Sequence, residues 1–326
     1  MKMRLSMPKV YFCLCFVIIL LVAGSGYPQD DPKYPRHPIN FLNNVLPGGP
    51  TDLACRLIGK EAEKFLGQPV VVVNKPGGAA SLAVATVATA KPDGYTIVYG
   101  AHTALFITPY LEKLPYNPVK DLRYIMQFGV LNFGVIVTTD SPFKKWEDVI
   151  AFARQNPKKA TYGTSGTNTM HNVIMEEIAK KEGVQFAHMP FTSGPESQAA
   201  LLGGHLVFVV GDFPYSLVEA GKVRLLLLLK EEVLPEYPDI PILKDKGYDF
   251  PFPTLLNVAG PKGIPDGIAN KLEDAFTKAM KEPGFIKGMK DLRLPILYRN
   301  SKDLTAYVAK NYEMFGKILK ERGLIK

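Results

Sequence analysis

The chain has 326 residues, of which 47% are hydrophobic and 21% charged, with 39 Lys+Arg against 31 Asp+Glu for a formal charge of +8. Such a balance excludes disordered and fibrous proteins, and the length suggests about two domains with real cores. The positive excess is spread along the chain without any run of five like charges, which argues against a nucleic-acid-binding stripe.

Lys2, Arg4 and Lys9 precede an unbroken apolar run over 10–23, followed by small residues at 23–26. Basic, then apolar, then small is the layout of a secretory signal peptide, so 1–26 is expected to be removed on export. An uncleaved anchor is the alternative, although the run falls short of the ~20 residues that span a bilayer. Removing 1–26 takes away three positive charges, leaving +5, and two of the three cysteines, leaving Cys55. One cysteine makes no internal disulfide and no cysteine-rich metal site.

After a proline-rich leader at 27–38, residues 39–46 read as a strand, weakened by Asn43 and Asn44. Pro47-Gly48-Gly49-Pro50-Thr51-Asp52 is a turn, with Thr51 or Asp52 available to cap a helix over 53–66. Four valines at 70–73 suggest a strand buried on both faces. A helix over 81–90 is apolar nearly all round, and 95–99 is a third strand. This alternation implies a parallel α/β sheet.

The pattern then restarts. Strands are expected at 134–138, 161–163, 206–210 and 223–229, and helices at 145–155, 170–181 and 195–202. A strand at 255–260 and helix-rich sequence complete the chain. The expected fold is α/β and two-lobed, each lobe a mainly parallel sheet flanked by helices, with a cleft between them. Lobe 1 would be 27–127 with 254–326, and lobe 2 would be 128–253. Two lobes in simple succession are the alternative.

No phosphate-binding loop, H-E-x-x-H or G-x-S-x-G is present, and nothing asks for a metal or cofactor. Gly-rich turns that open helices offer free N–H groups and partial positive charge to an anion. In open α/β sheets they gather at the carboxyl ends of strands. Residues 47–52 and 163–168 could therefore form facing anion sites, with Arg56 directed away, so that backbone, hydroxyls and water hold the anion. His37, His102, His171, His188 and His205 show no metal-ligand spacing. Among them His102 stands out, because it follows the third strand where the crevice should lie. Asp212 ends a strand and is either a helix cap or a ligand contact. Trp146 opens a helix and reads as packing.

The sequence resembles the extracytoplasmic solute-binding receptors of tripartite tricarboxylate transporters, the Bug family. The resemblance runs through Pro47-Gly48-Gly49-Pro50-Thr51-Asp52 with Arg56, Leu66-Gly67-Gln68-Pro69-Val70, Asn74-Lys75-Pro76-Gly77 and Lys91-Pro92-Asp93-Gly94-Tyr95-Thr96. It continues through Pro115-Tyr116-Asn117-Pro118 with Asp121, Gly163-Thr164-Ser165-Gly166 with His171, Leu202-Gly203-Gly204, Asp212 and Ala220-Gly221-Lys222-Val223-Arg224. It implies a monomeric two-lobed periplasmic-binding fold that closes on a small di- or tricarboxylate, amino-acid-like or aromatic acid. It also implies delivery to membrane permease subunits, without chemistry on the ligand. Ligand contacts carry over to Gly48, Gly49, Pro50 and Thr51, to Ser165, Gly166 and Thr167, to His102 and Thr103, and to Thr192, Ser193, Gly194 and Asp212. The sequence departs from the family's habit at His102 and at 191–194, which bears on the identity of the ligand. Two other readings stay open here: a receptor presenting its ligand to a sensor kinase, and an exported α/β enzyme acting on a small acid.

Overall fold

The computed structural model describes residues 33–325 apart from 231–233, 235 and 251. The signal-peptide reading for 1–26 lies outside the described residues. In chain order the elements begin with β1 (Ile39–Asn43), α1 (Pro50–Leu66), β2 (Val70–Asn74), α2 (Ser81–Ala88), β3 (Thr96–Val98), α3 (His102–Phe106), α4 (Thr108–Leu111) and β4 (Leu122–Gly129). Next come β5 (Phe133–Thr138), α5 (Trp146–Gln155), β6 (Ala160–Thr164), α6 (Met170–Glu182), β7 (Phe186–Pro190), α7 (Gly194–Leu202), β8 (Phe208–Asp212), α8 (Tyr215–Glu219) and β9 (Val223–Leu228). A 3-10 turn (Leu243–Lys246) leads to β10 (Leu256–Pro261), α9 (Asp266–Ala279), α10 (Pro283–Asp291) and α11 (Ser301–Glu321).

These strands build two five-stranded sheets, ordered β2-β1-β3-β10-β4 and β7-β6-β8-β5-β9. Both are mixed rather than mainly parallel. β2, β1 and β3 run parallel, as do β7, β6 and β8, while β10 and β5 run antiparallel to both of their neighbours. The reversed strands are those that follow a passage between sheets. β5 enters the second sheet directly after β4 of the first, and β10 enters the first after the chain leaves β9. A strand arriving from the other half enters at the end where its new neighbours finish, so it must run against them. Phe133 accordingly pairs with Asp212, and Leu256 with Gly129. The carboxyl ends of β1, β3, β4, β6, β8 and β9 thus share one seam with the amino ends of β5 and β10.

Two expectations need correction. β4 runs through to Gly129, so the passage out of the first sheet spans 130–132 rather than beginning near Phe128. The valine strand β2 is an edge strand, with Val71 44% and Val73 39% exposed. β-branched residues suit any pleated strand, and sheet order decides how deeply one is buried. β4 and β7 were not expected at all. β7 has few strand-forming residues and is held by pairing with β6.

Each half is sealed by aromatic packing. In the first, α9 and α10 lie on α1, and α11 lies on β4 and α3. There Phe41 meets Phe276, Phe128 meets Phe285, and Phe106 stacks on Phe315. In the second, Tyr162 stacks on Phe208 and Trp146 packs against it edge-on. Trp146 is buried, as packing requires, and its indole N–H donates to Tyr248 Oη at 2.8 Å, which satisfies the one polar atom it takes inside. No helix among the described residues is long and apolar enough to cross a membrane.

Candidate functional site

The residues expected to meet a ligand fall on four segments near the seam, with Asp212 at the end of β8. The first is the turn between β1 and α1. Gly48 has φ +87, which favours glycine, and Gly49 is extended. The helix begins at Pro50, earlier than expected, with Gly49 as its cap, so neither Thr51 nor Asp52 caps it. Pro50 at the first helical position has no N–H to lose. A Cβ added at Gly48 or Gly49 would meet nothing within 4 Å, so the turn borders open space. The N–H groups of Gly49, Thr51 and Asp52 have no acceptor within the helix.

Asp52 holds this turn from inside. It is 1% exposed. Its Oδ2 accepts from the Gly48 N–H and from Arg56 Nε, both at 2.9 Å, and its Oδ1 accepts from Asn74 Nδ2 at 2.7 Å and Asn43 Nδ2 at 3.2 Å. Burial pushes the carboxyl up, but the hydrogen bonds from Arg56, the Gly48 N–H and Asn74 outweigh it and hold the pKa below the ordinary aspartate value. Arg56 therefore points back into the turn rather than away, and also donates to Asn74 Oδ1 at 2.7 Å. Its guanidinium is engaged with protein groups. Asn43 and Asn44, which weaken the strand by propensity, are both buried. Asn43 braces Asp52, and Asn44 Nδ2 donates to the Tyr99 carbonyl at 3.2 Å.

The second segment joins β6 to α6 and includes Ser165, Gly166 and Thr167. Gly166 has φ +120 and Asn168 φ +53. Thr169 caps α6 by accepting from the Asn172 N–H at 3.4 Å. Beneath the turn runs a neutral network. Thr164 Oγ1 donates to the Gly166 carbonyl at 2.8 Å and lies 2.7 Å from His188 Nε2. The hydroxyl has one hydrogen, so Nε2 carries the imidazole hydrogen and donates, which leaves Nδ1 to accept from Asn172 Nδ2 at 3.3 Å. Asn172 also donates to Tyr162 Oη at 2.9 Å, and Tyr162 stacks on the His188 ring. Burial lowers the His188 pKa.

His102 and Thr103 open α3 after β3. Asn257 of β10 clamps the preceding Gly100: its Nδ2 donates to the Gly100 carbonyl at 2.8 Å, and its Oδ1 accepts from the Gly100 N–H at 3.2 Å. Both His102 and Thr103 are largely buried. The last segment begins α7. Ser193 caps it, accepting from the Glu196 N–H at 3.4 Å. Glu196 reaches back to accept from the Thr192 N–H at 3.0 Å and from Thr192 Oγ1 at 2.5 Å. The donors of Thr192 thus already serve a carboxylate from the protein itself, while Gly194 borders open space.

Asp212 ends β8 opposite Phe133. It is not a helix cap, since α8 starts after Pro214. Its carbonyl accepts from Gln198 Nε2 at 2.9 Å. Its carboxylate has no hydrogen-bond or ion-pair partner among the described residues. The side chain opens to solvent, yet protein walls surround it, and that desolvation pushes its carboxyl up to about 6. After burial and Cys55, Asp212 also helps hold the Tyr99 phenol above its usual range, so it acts across the seam on the first half.

The structure brings other groups to the seam that sequence reasoning did not single out. His171 and Phe133 pack against His102, and Phe252 packs against His171 and Phe133. Asn132 accepts from Lys230 Nζ at 3.0 Å and donates to Tyr215 Oη at 2.6 Å and to the Arg293 carbonyl at 2.8 Å. Arg293 pairs with Glu219 and lies over the Tyr215 ring. Their partners are distant in sequence, so no local signal marks them.

Two α/β halves along a shared seam have the architecture of the periplasmic binding protein fold. The chain belongs to the tripartite tricarboxylate transporter family of receptors, whose model matches residues 54–324. Members of this family are solute-binding receptors, not enzymes, which sets aside the exported-enzyme reading. The "UPF0065 protein in gbd 5'region" of Cupriavidus necator is 38% identical over 94% of this chain and 93% of its own length. A solved periplasmic transporter structure is 27% identical, with a TM-score of 0.79, covering 90% of this chain and 99% of that one. The structure of MatC from Rhodopseudomonas palustris with bound malate shares the fold, with a TM-score of 0.76 at 23% identity over 88% of this chain and 100% of that one.

Proposed function

We propose that this receptor works in the periplasm, capturing a small carboxylate solute between a first lobe built on the β2-β1-β3-β10-β4 sheet and a second built on the β7-β6-β8-β5-β9 sheet, and passing it to permease subunits of a tripartite transporter. The supporting observation is a pair of glycine turns that follow the carboxyl ends of β1 and β6, 48–51 leading into α1 and 165–167 ahead of the Thr169 cap of α6. Their free N–H groups suit a carboxylate, and no guanidinium competes for it. Gly48, Gly49, Pro50 and Thr51 form one side, and Ser165, Gly166 and Thr167 the other. His102 and Thr103 line the floor. Thr192, Ser193 and Gly194 form the rim, where Gly194 leaves room for the solute. Asp212 would repel a second carboxylate placed against it. It therefore favours solutes that put a hydroxyl, an ammonium or a protonated acid there. The malate held by MatC is a dicarboxylate with a hydroxyl, which fits this chemistry.

The test is a thermal-shift panel on protein unfolded and refolded to strip any carried solute. The panel holds malate, citrate, adipate, aspartate and benzoate. A ligand present at 100 times its dissociation constant adds about 2.7 kcal/mol, which raises the midpoint of a protein of this size by roughly 5 °C. A shift with one acid class, with the acid recovered unchanged, supports the reading. No shift with any acid counts against it. Gly49→Trp should leave stability within about 0.5 kcal/mol, since its side chain enters open space, and should abolish the shift. A full shift in that variant would remove the first turn from the site.

A further inference from the structure

Two buried histidines meet across the seam. His102 opens α3 in the first half, and His171 is the second residue of α6 in the second. Their ring centroids are 5.7 Å apart with planes at 88°. Phe133 packs edge-on against both, at 5.3 and 4.7 Å, and Phe252 lies 5.4 Å from His171. His102 is 9% exposed and His171 4%. Neither imidazole makes a hydrogen bond among the described residues, and Nδ1 of His102 and Nε2 of His171 are sealed from solvent.

No counter-charge faces the pair. α2, α3 and β5 carry no other titratable side chain. On α6, Glu176 accepts from Tyr162 Oη, Glu177 faces Arg322, Lys180 is exposed, Lys181 donates to the Gly247 carbonyl, and Glu182 holds Arg154 and Tyr248. α4 turns Tyr110 to the Tyr312 carbonyl, and α11 offers Phe315 to Phe106 while Glu313 pairs with Lys317. Asp212, opposite Phe133, opens to solvent. The one titratable group whose charge acts on His171 is His102, and burial alone acts on His102. That burial holds His102 down to about 4 and His171 to about 3.

We propose that this contact is a proton-sensitive seam: the halves close over it while both imidazoles are neutral, and protonating them parts the halves. Protonation would put a hydrogen on the sealed nitrogen of each ring, against phenylalanines and a second imidazole, where it has no acceptor, a cost the chain avoids by opening. Once open, the rings regain water and the ordinary histidine value. The open form then takes up protons that the closed form rejects. Closure is therefore fully favoured above pH 6.5 and loses ground as the pH falls toward 4. A single histidine released to 6.5 shifts the open-to-closed ratio roughly tenfold between pH 7.5 and 5.5. The inference rests on the two-lobed motion in the proposed function but not on which acid is bound.

Spin labels at Lys60→Cys on α1 and Lys159→Cys beside β6 report the distance between halves, while native Cys55 is buried. In ligand-free protein, with both histidines released, the longer-distance population should grow roughly a hundredfold relative to the shorter from pH 7.5 to 5.5, and roughly tenfold where one histidine remains. The same labels in His102→Gln/His171→Gln should give a flat profile, with circular dichroism showing the fold retained. If the double variant does not fold, each single variant should show a reduced response. A flat profile with both histidines in place overturns the proposal, as does a folded variant that opens with acid like its parent. Failure of every acid to bind would strike the proposed function instead.

Discussion

The first turn of the seam is braced by a buried charge, and the second by neutral groups. Asp52 gathers four donors under residues 48–51. Thr164, His188, Asn172 and Tyr162 pass hydrogen bonds along a chain under residues 165–168. Both support a glycine turn that follows a strand, so one kind of turn is held by two chemistries. The difference lies in their response to acid. The Asp52 carboxyl titrates below its ordinary value, so its contribution is complete above about pH 4 and drains only below that. His188 is kept neutral, and a proton on Nδ1 would oppose the Asn172 donor. The second turn should therefore loosen as the pH falls below 6.5, while the first stays intact.

Asp52→Ala should break the comparison most. It strands two asparagines and the Gly48 N–H, and should cost about 3 kcal/mol in urea unfolding. A loss under 1 kcal/mol would mean the turn holds itself. Thr164→Val removes the donor to Gly166 and the acceptor for His188, for a loss of about 1–2 kcal/mol, with hydrogen exchange quickening at 164–172 and not at 43–52. Exchange that quickens equally in both would show that the turns are coupled. Acid alone sharpens the contrast: exchange at 164–172 should speed up between pH 6.5 and 4.5, after correction for intrinsic rates, before that at 43–52. Asp212→Asn is expected to do least to stability. The folded carboxyl titrates near 6, above its unfolded value, so its charge destabilises above that pH and the penalty fades as the pH falls through it. Removing the charge should stabilise the protein at pH 7.5 by under about 1 kcal/mol, because solvent screens an open side chain. It should make no difference near pH 4, and equal gains at both pH values would show that the charge is not the cause.

Legibility in the sequence followed the range of the interactions. Gly48, Gly49 and Gly166 announce turns because their conformations are written in local residues, and the helices after them show their periodicity. Arg56 was misread because its direction depends on Asp52 and Asn74, the latter on another strand. Asn43 and Asn44 looked like flaws in a strand, yet Asn43 braces the turn that follows it and Asn44 ties the strand end to Tyr99. His171 stood in a recognisable stretch, but its meeting with His102 depends on two helices from different halves. β4 and the edge position of β2 were missed for the same reason: pairing, not propensity, fixes a strand's depth.

The sequence by itself determined that this is an α/β protein of the receptor family, with glycine turns opening helices after strands. Those features rest on backbone sterics and on periodicity within a dozen residues. Only the tertiary structure decided that β5 and β10 run against their neighbours, that Arg56 braces a turn instead of leaving it, and that His102 shares its apolar surroundings with His171. The passages between sheets bring those residues together, and burial then sets their charge.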